Sequence, residues 1–406
     1  MKRIGIISLA SLFLFGCGSD DEKTVKIDQD AYAVQLVAAD YGSSQVAIGN
    51  IEGDRTATHG LMKKGQSDFT ISSYKDNLYH IGKNQIDTIE RFDAADSLNT
   101  STWEYVAIQD GESQSANTYQ LLQNAEDNAY LIRYGASSIA QVDPSALDQA
   151  SFVKRNIDLS AYTVEGSDAP KMVEAVLDGD TLYVVMQRLN GSWQPQQAYV
   201  AIIDVSNDES PFEIDTQPSE EGLKGVALNV KNPYHISVNN GFVYVAGRGN
   251  YSSDTGGVDR IDTMDYAVES LISSDTLADL NTVSNDDDPS NDQYFHTTDL
   301  VVVDDTQAYV LANIEMGYST IETKLVRFNP SNLDGYTIVD DATLTGKSLS
   351  FIELGPNGQL WLGISNADKP SLALLDTSSD MVNDALIGLT MPPVKLQFLE
   401  YSDLGN

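Results

Sequence analysis

One unit recurs along this chain at intervals of about 45 to 65 residues, a spacing typical of propeller blades. It begins with an apolar strand, passes a tight turn of Asp, Asn and Gly, and continues into a strand that opens with an aromatic. Six copies are clear. They are Lys75-Asp76-Asn77-Leu78-Tyr79, Glu126-Asp127-Asn128-Ala129-Tyr130, Asp178-Gly179-Asp180-Thr181-Leu182-Tyr183, Asn239-Asn240-Gly241-Phe242-Val243-Tyr244, Asp304-Asp305-Thr306-Gln307-Ala308-Tyr309 and Pro356-Asn357-Gly358-Gln359-Leu360-Trp361. Short hairpin connections need positive φ, and these turn residues tolerate it.

After each aromatic strand a loop leads to a third strand that ends in an apolar residue followed by Asp or Asn. These ends are Phe92-Asp93, Val142-Asp143, Ile203-Asp204, Ile261-Asp262, Phe328-Asn329 and Leu375-Asp376. The short acidic or amide side chain suits a cap, accepting hydrogen bonds from the backbone of the turn that follows. A variable fourth strand closes each unit, for example at Trp103 to Gln109. The chain ends complete the count. Tyr32 to Ala39 and Gln45 to Ile51 read as second and third strands with no first strand before them, while Val394 to Leu399 reads as a first strand with nothing after it. If that last strand joins the N-terminal blade, the ring closes without an exposed edge. The expected fold is therefore all-β, a seven-bladed propeller closed by its C-terminal strand.

The repeat resembles the YVTN or YncE-like β-propellers, whose blades carry a Leu-Tyr-Val strand followed by a Val-Ile-Asp strand. Tyr183-Val184-Val185, Tyr244-Val245-Ala246 and Tyr309-Val310-Leu311 match the first element, and Ala201-Ile202-Ile203-Asp204 the second. The resemblance spans roughly Tyr32 to Tyr401. It speaks to fold and hardly to function, because propellers host enzymes, capture proteins and scaffolds alike.

Ahead of the repeat, Met1-Lys2-Arg3 is followed by an apolar run from Ile4 to Phe15, too short to span a bilayer and laid out like a secretory signal. Leu14-Phe15-Gly16-Cys17 resembles the lipobox of bacterial lipoproteins, in which the cysteine is lipidated and becomes the mature N-terminus. Cys17 is the single cysteine, so the chain has no intrachain disulfide. The organisation expected is a signal peptide at 1–16, an acidic tether at 17–30 and one propeller at 31–403. Gly18 rather than Asp after the cysteine favours the outer membrane, by the same resemblance. The formal charge of −36 excludes nucleic acid and attraction to anionic lipid, leaving the lipid anchor as the only expected membrane contact.

Up-and-down strands send alternate connections to opposite rims of the disc. The lower rim, with the turns between first and second strands and the links between third and fourth, collects Asp76, Glu126, Asp127, Asp178, Asp304, Asp93, Asp143, Asp204 and Asp376, with little basic beyond Lys75 and Arg55. The upper rim gathers cations and aromatics. Its candidate ligand-binding residues are Lys83, Tyr134, Lys171, Arg188, Trp193, His235, Arg248, Tyr251, His296 and Tyr318. Rings beside Arg and Lys suit an anionic, partly flat ligand.

Catalytic signals are thin: no His-x-x-x-His pair, phosphate loop or Gly-x-Ser-x-Gly elbow occurs. His235 and His296 could meet across neighbouring inner strands, with Glu174 and Asp299 nearby. Asp286-Asp287-Asp288-Pro289-Ser290-Asn291-Asp292 has oxygen ligands for calcium, but Asn291 stands where the loop needs Gly and Thr297 where it needs Glu. The expectation is a monomeric, non-enzymatic binding protein without a cofactor. It would resemble outer-membrane propellers that take up siderophore, haem or cobalamin for a TonB-dependent transporter. A metal-dependent hydrolase or lactonase working in the channel, or a scaffold at the envelope, are the alternatives.

Overall fold

The computed structural model describes residues 24–218, 222–280, 292–317, 319–383 and 385–402. Cys17, Tyr318 and most of the acidic run at 286–292 lie outside the described residues. Seven antiparallel sheets are arranged in sequence around a central axis. Their inner strands are Pro393–Leu399, Phe69–Tyr74, Thr118–Ala125, Met172–Asp178, Pro233–Asn239, Gln293–Asp304 and Leu349–Leu354, which define blades 1 to 7. Blade 1 pairs the last strand of the chain with Ala31–Val37, register Ala31 opposite Leu399, followed by Ser44–Asn50 and Thr58–Lys64. The ring is thus closed by the C-terminal strand, and the chain is a seven-bladed β-propeller with almost no helix.

The local chemistry of the repeat is what the sequence implies. Two-residue turns join first to second strands at Lys75-Asp76, Gly179-Asp180 and Asn240-Gly241. Both residues of the last turn take positive φ, 52° and 80°, as a type I′ turn requires. All six third-strand ends act as caps. Asp93 accepts from Ala95 N–H (3.1 Å), Asp143 from Ser145 (2.8 Å), Asp204 from Ser206 (2.9 Å), Asp262 from Met264 (2.8 Å), Asn329 from Ser331 (2.8 Å) and Asp376 from Ser378 (2.8 Å).

The core is not one mass but seven interfaces, one between each pair of adjacent blades. Tyr79, Ile81 and Ile89 of blade 2 meet Leu121, Leu131 and Phe152 of blade 3, and Val34, Leu36 and Leu396 of blade 1 meet Phe351, Trp361 and Leu374 of blade 7. Second strands are covered on both faces, which is why Asn77–Gly82 and Asn128–Arg133 are buried at every position. The repeated aromatic reaches across to the next blade: Tyr79 Oη donates to Gln123 (2.5 Å) and Tyr309 Oη to Asp380 (2.5 Å). Each fully buried side chain of this size stabilises the fold by about 1.5–3 kcal/mol.

Both ends of the described chain lie on the lower rim. Ile27, buried between blades 1 and 2, donates its N–H to Ala94 O, and Tyr401 N–H is held by Asp30. Packing therefore begins a few residues ahead of the first strand.

Candidate functional site

The inner strands carry a shared irregularity that builds the channel. In six blades one extra residue interrupts the pairing toward the upper end, between Pro393 and Lys395, Thr118 and Gln120, Met172 and Glu174, Pro233 and His235, Thr297 and Asp299, and Leu349 and Ile352. A bulge of this kind re-aims the following side chain. Gln120, Glu174, His235 and Lys395 line a cavity of about 790 Å³ in the channel, and Asp299 is bonded to His235.

These polar side chains link each blade to the next. Gln397 accepts from Ser73 N–H (3.2 Å), Ser72 from Leu121 (3.1 Å), Gln120 from Ala175 (2.9 Å) and Glu174 from Ile236 (3.2 Å). His235 Nδ1 lies 3.1 Å from Asp299, whose other oxygen accepts from Ile352 N–H at 3.0 Å. Glu353 faces Lys395 at 3.9 Å and completes the circle. His235 Nδ1 also contacts Glu174 at 2.9 Å, and Lys395 contacts Glu174 at 3.2 Å.

The electrostatics follow from that packing. Burial opposes the charge on His235, but Glu174 and Asp299 outweigh it and push the imidazole up to about 9. Burial would raise Glu174, yet Lys395, His235 and the Ile236 amide hold it well below the usual carboxylate range. Glu353 lacks such support, and burial pushes it up to about 7 against the pull of Lys395. Asp299 is also raised by burial, with His235 offsetting part of the effect. At neutral pH the channel holds a protonated imidazole beside a carboxyl that titrates there, a donor and an acceptor in one cavity.

Above these polar groups stand aromatic walls. Tyr119 and Tyr134 stack at 4.7 Å, Tyr134 Oη donates to Gln187 (3.0 Å), and Tyr234 faces the cavity 39% exposed. Lys83 lies over Tyr119 (5.2 Å), Lys171 between Tyr134 (5.4 Å) and Trp193 (5.6 Å), and Arg248 over Tyr251 (5.1 Å). Tyr134, Lys171 and Trp193 thus come together, as do Arg248 and Tyr251. The candidates do not form one patch.

Three expectations need correction. The upper-rim cations are not free charge: Lys83 is paired with Asp68 (2.9 Å), Lys171 with Asp168 (2.6 Å) and Arg248 with Glu315. Arg188 is a strut, donating to the carbonyls of Tyr162 and Gln197 at 2.8 Å each. Nor is the lower rim without cations, since Lys154, Arg155 and Arg327 pair there with Asp127, Glu209 and Asp380. Finally, His235 and His296 do not meet. The inner strand of blade 6 starts high, at Gln293, so Asp299 takes the channel position. His296 is buried (0% exposed) above it, its Nδ1 2.9 Å from Arg248 O. Among the described residues no three His, Cys, Asp or Glu side chains are grouped to hold a metal. Lys395 and Glu353, absent from the sequence candidates, are central to the site.

Fold and channel define the class, a seven-bladed β-propeller with a polar axial channel. No protein-family model matches the sequence, and none of the curated proteins does. Solved structures do. A Lactobacillus plantarum protein matches at 16% identity and a TM-score of 0.60, over 92% of this chain and 100% of its own. A candidate 6-phosphogluconolactonase from Bacteroides fragilis matches at 15% and 0.58, over 92% and 99%. A functionally unknown Desulfotomaculum acetoxidans protein matches at 11% and 0.53, over 92% and 100%. At such identities the likeness is one of fold.

Proposed function

We propose that this protein is a lipid-anchored propeller of the bacterial outer membrane that binds a small molecule at the upper mouth of its channel. The observation that carries the reading is the channel cavity of about 790 Å³, walled toward its mouth by Tyr119, Tyr134 and Tyr234 and lined below them by Glu174, His235 and Lys395. A concave, partly aromatic site with a few converging polar groups is the usual form of a ligand pocket. Lys2-Arg3, the apolar run and Cys17 support the anchor. The finer form of the proposal is capture of a partly flat ligand of siderophore, haem or cobalamin type for a TonB-dependent transporter. Because the rim cations are already paired, the rings rather than free positive charge would hold it.

Titration with iron-loaded catecholates, haem and cobalamin tests this. Saturable binding weakened by Tyr234→Ala is expected, and no binding of any of the three would overturn the capture reading. Metabolic labelling with palmitate, lost on Cys17→Ser, tests the anchor. A second reading draws on Glu353 and His235, which together could run acid–base chemistry such as lactone hydrolysis. It is tested by turnover of a lactone panel, lost on Glu353→Gln.

A further inference from the structure

We propose a second binding site, for a neutral saccharide, in the groove of about 680 Å³ on the upper rim where blades 2, 3 and 4 meet. It is a site beyond the channel mouth, and three observations carry it. The first is Trp193. It is 57% exposed, at the tip of a small hairpin in which Leu189 bridges Pro195. Its backbone sits at φ +60°, which costs a bulky residue energy. The hairpin is fastened from inside: Asn190 Oδ1 accepts from Ser192 N–H (2.9 Å) and Gln194 N–H (3.0 Å), and Trp193 N–H returns to Asn190 O (2.8 Å). A large apolar ring is thus held out in water in a fixed pose, ready to cover the C–H face of a pyranose.

The second observation is Lys171. The residue just before the inner strand is left-handed in blades 3, 4 and 5, with φ +47° at Asn117, +63° at Lys171 and +51° at Asn232. Asn is enriched in that conformation and Lys is not. Blade 4 accepts the costlier residue, and its side chain, 8% exposed, is wedged against both Tyr134 and Trp193 while paired with Asp168 at 2.6 Å. Lys171 braces the indole and is itself neutralised, so the pair adds no net charge. The third is the opposite wall, where the amides of Asn84 and Gln114 make no hydrogen bond to the described residues. Each amide offers both donor and acceptor, as a sugar hydroxyl requires. A neutral polyol fits such a groove, whereas an anion would meet a chain of formal charge −36.

Of the three tryptophans Trp361 is fully buried and Trp103 is packed against Tyr105 (4.4 Å), so emission changes at the exposed indole report on this groove. The purified full chain is titrated with maltohexaose, cellohexaose and mannohexaose, and with the anionic hexamer of galacturonate. At least one neutral hexasaccharide is expected to shift emission to the blue saturably. Trp193→Ala should weaken binding, followed by calorimetry, by about tenfold or more. Channel-lining Tyr234→Ala should leave it intact, which separates this site from the channel. Thermal unfolding of Trp193→Ala near that of the parent shows that the fold is intact. No response to any neutral hexasaccharide, binding that survives Trp193→Ala, or binding of the galacturonate hexamer alone would each overturn the proposal.

Discussion

Replacing Glu353 by Gln should make this protein more stable, by an amount that grows between pH 4.5 and 7 and is complete above neutral pH. Burial lifts the Glu353 carboxyl from its ordinary 4.5 to about 7 in the folded chain. Below pH 4.5 the group is protonated both folded and unfolded, and it contributes no pH dependence. Between 4.5 and 7 the unfolded chain gives up the proton while the folded chain keeps it, so stability falls as pH rises. Above 7 the loss is complete. A pKa difference from 4.5 to about 7, at about 1.4 kcal/mol per unit, sets that loss at about 3.5 kcal/mol, and the partial exposure of the carboxyl brings it nearer 2. Gln keeps the shape of the protonated acid and cannot ionise. Urea unfolding of both proteins at pH 5 and pH 8.5 measures the effect: nearly equal stability at pH 5, and the variant ahead by about 2 kcal/mol at pH 8.5. Equal gaps at the two pH values, or a variant less stable at pH 8.5, would refute the reasoning.

Other perturbations address the same ring of side chains. His235 has its pKa raised to about 9, so its stabilisation is full below its ordinary value of 6.5 and disappears as pH climbs through 9. His235→Gln should therefore cost about 2–3 kcal/mol at pH 6 and far less at pH 10, read from unfolding at each pH. Lys395→Met leaves Glu174 with His235 as its one remaining cation, and a loss of roughly 2–3 kcal/mol is expected, less than for a fully buried pair because Lys395 is partly exposed. Deleting residues 393–402 removes the inner strand of blade 1 and bares the edge of Ala31–Val37. Self-association visible on size-exclusion chromatography should follow.

Why the blades could be read and the site only in part has a physical explanation. Turns and caps are local. Asn240-Gly241 needs positive φ whatever surrounds it, and Asp204 caps Ser206 within three residues, so linear sequence carries the signal. Ring closure was readable because strands at the two ends were each missing a partner. The channel is different. Lys395 and Glu353 sit in strands that read as ordinary alternation, and they matter only because seven such strands converge on one axis. The extra residue before Gln120, Glu174, His235, Asp299 and Lys395 was the available signal, a polar side chain at one position of successive first strands. The rim charges misled for the opposite reason. Arg155 and Glu209, 54 positions apart, find each other only when blades 3 and 4 are stacked, and summing charges by loop cannot show which ones are already matched.

The lower rim receives both ends of the described chain, with Ile27 seated at Ala94 and Ser402 Oγ donating to Asp76. Any attachment made through the leading segment therefore pulls on that side of the disc, and the mouth with its tyrosines points the other way. The underside is also where Asp93, Asp143, Asp204 and Asp376 crowd, so headgroups bearing negative charge would push against it. Under the proposed anchor, a disc tied from below yet repelled from the surface beneath it would ride at a standoff, like a moored float. Its opening would then face whatever diffuses past instead of the layer that holds it.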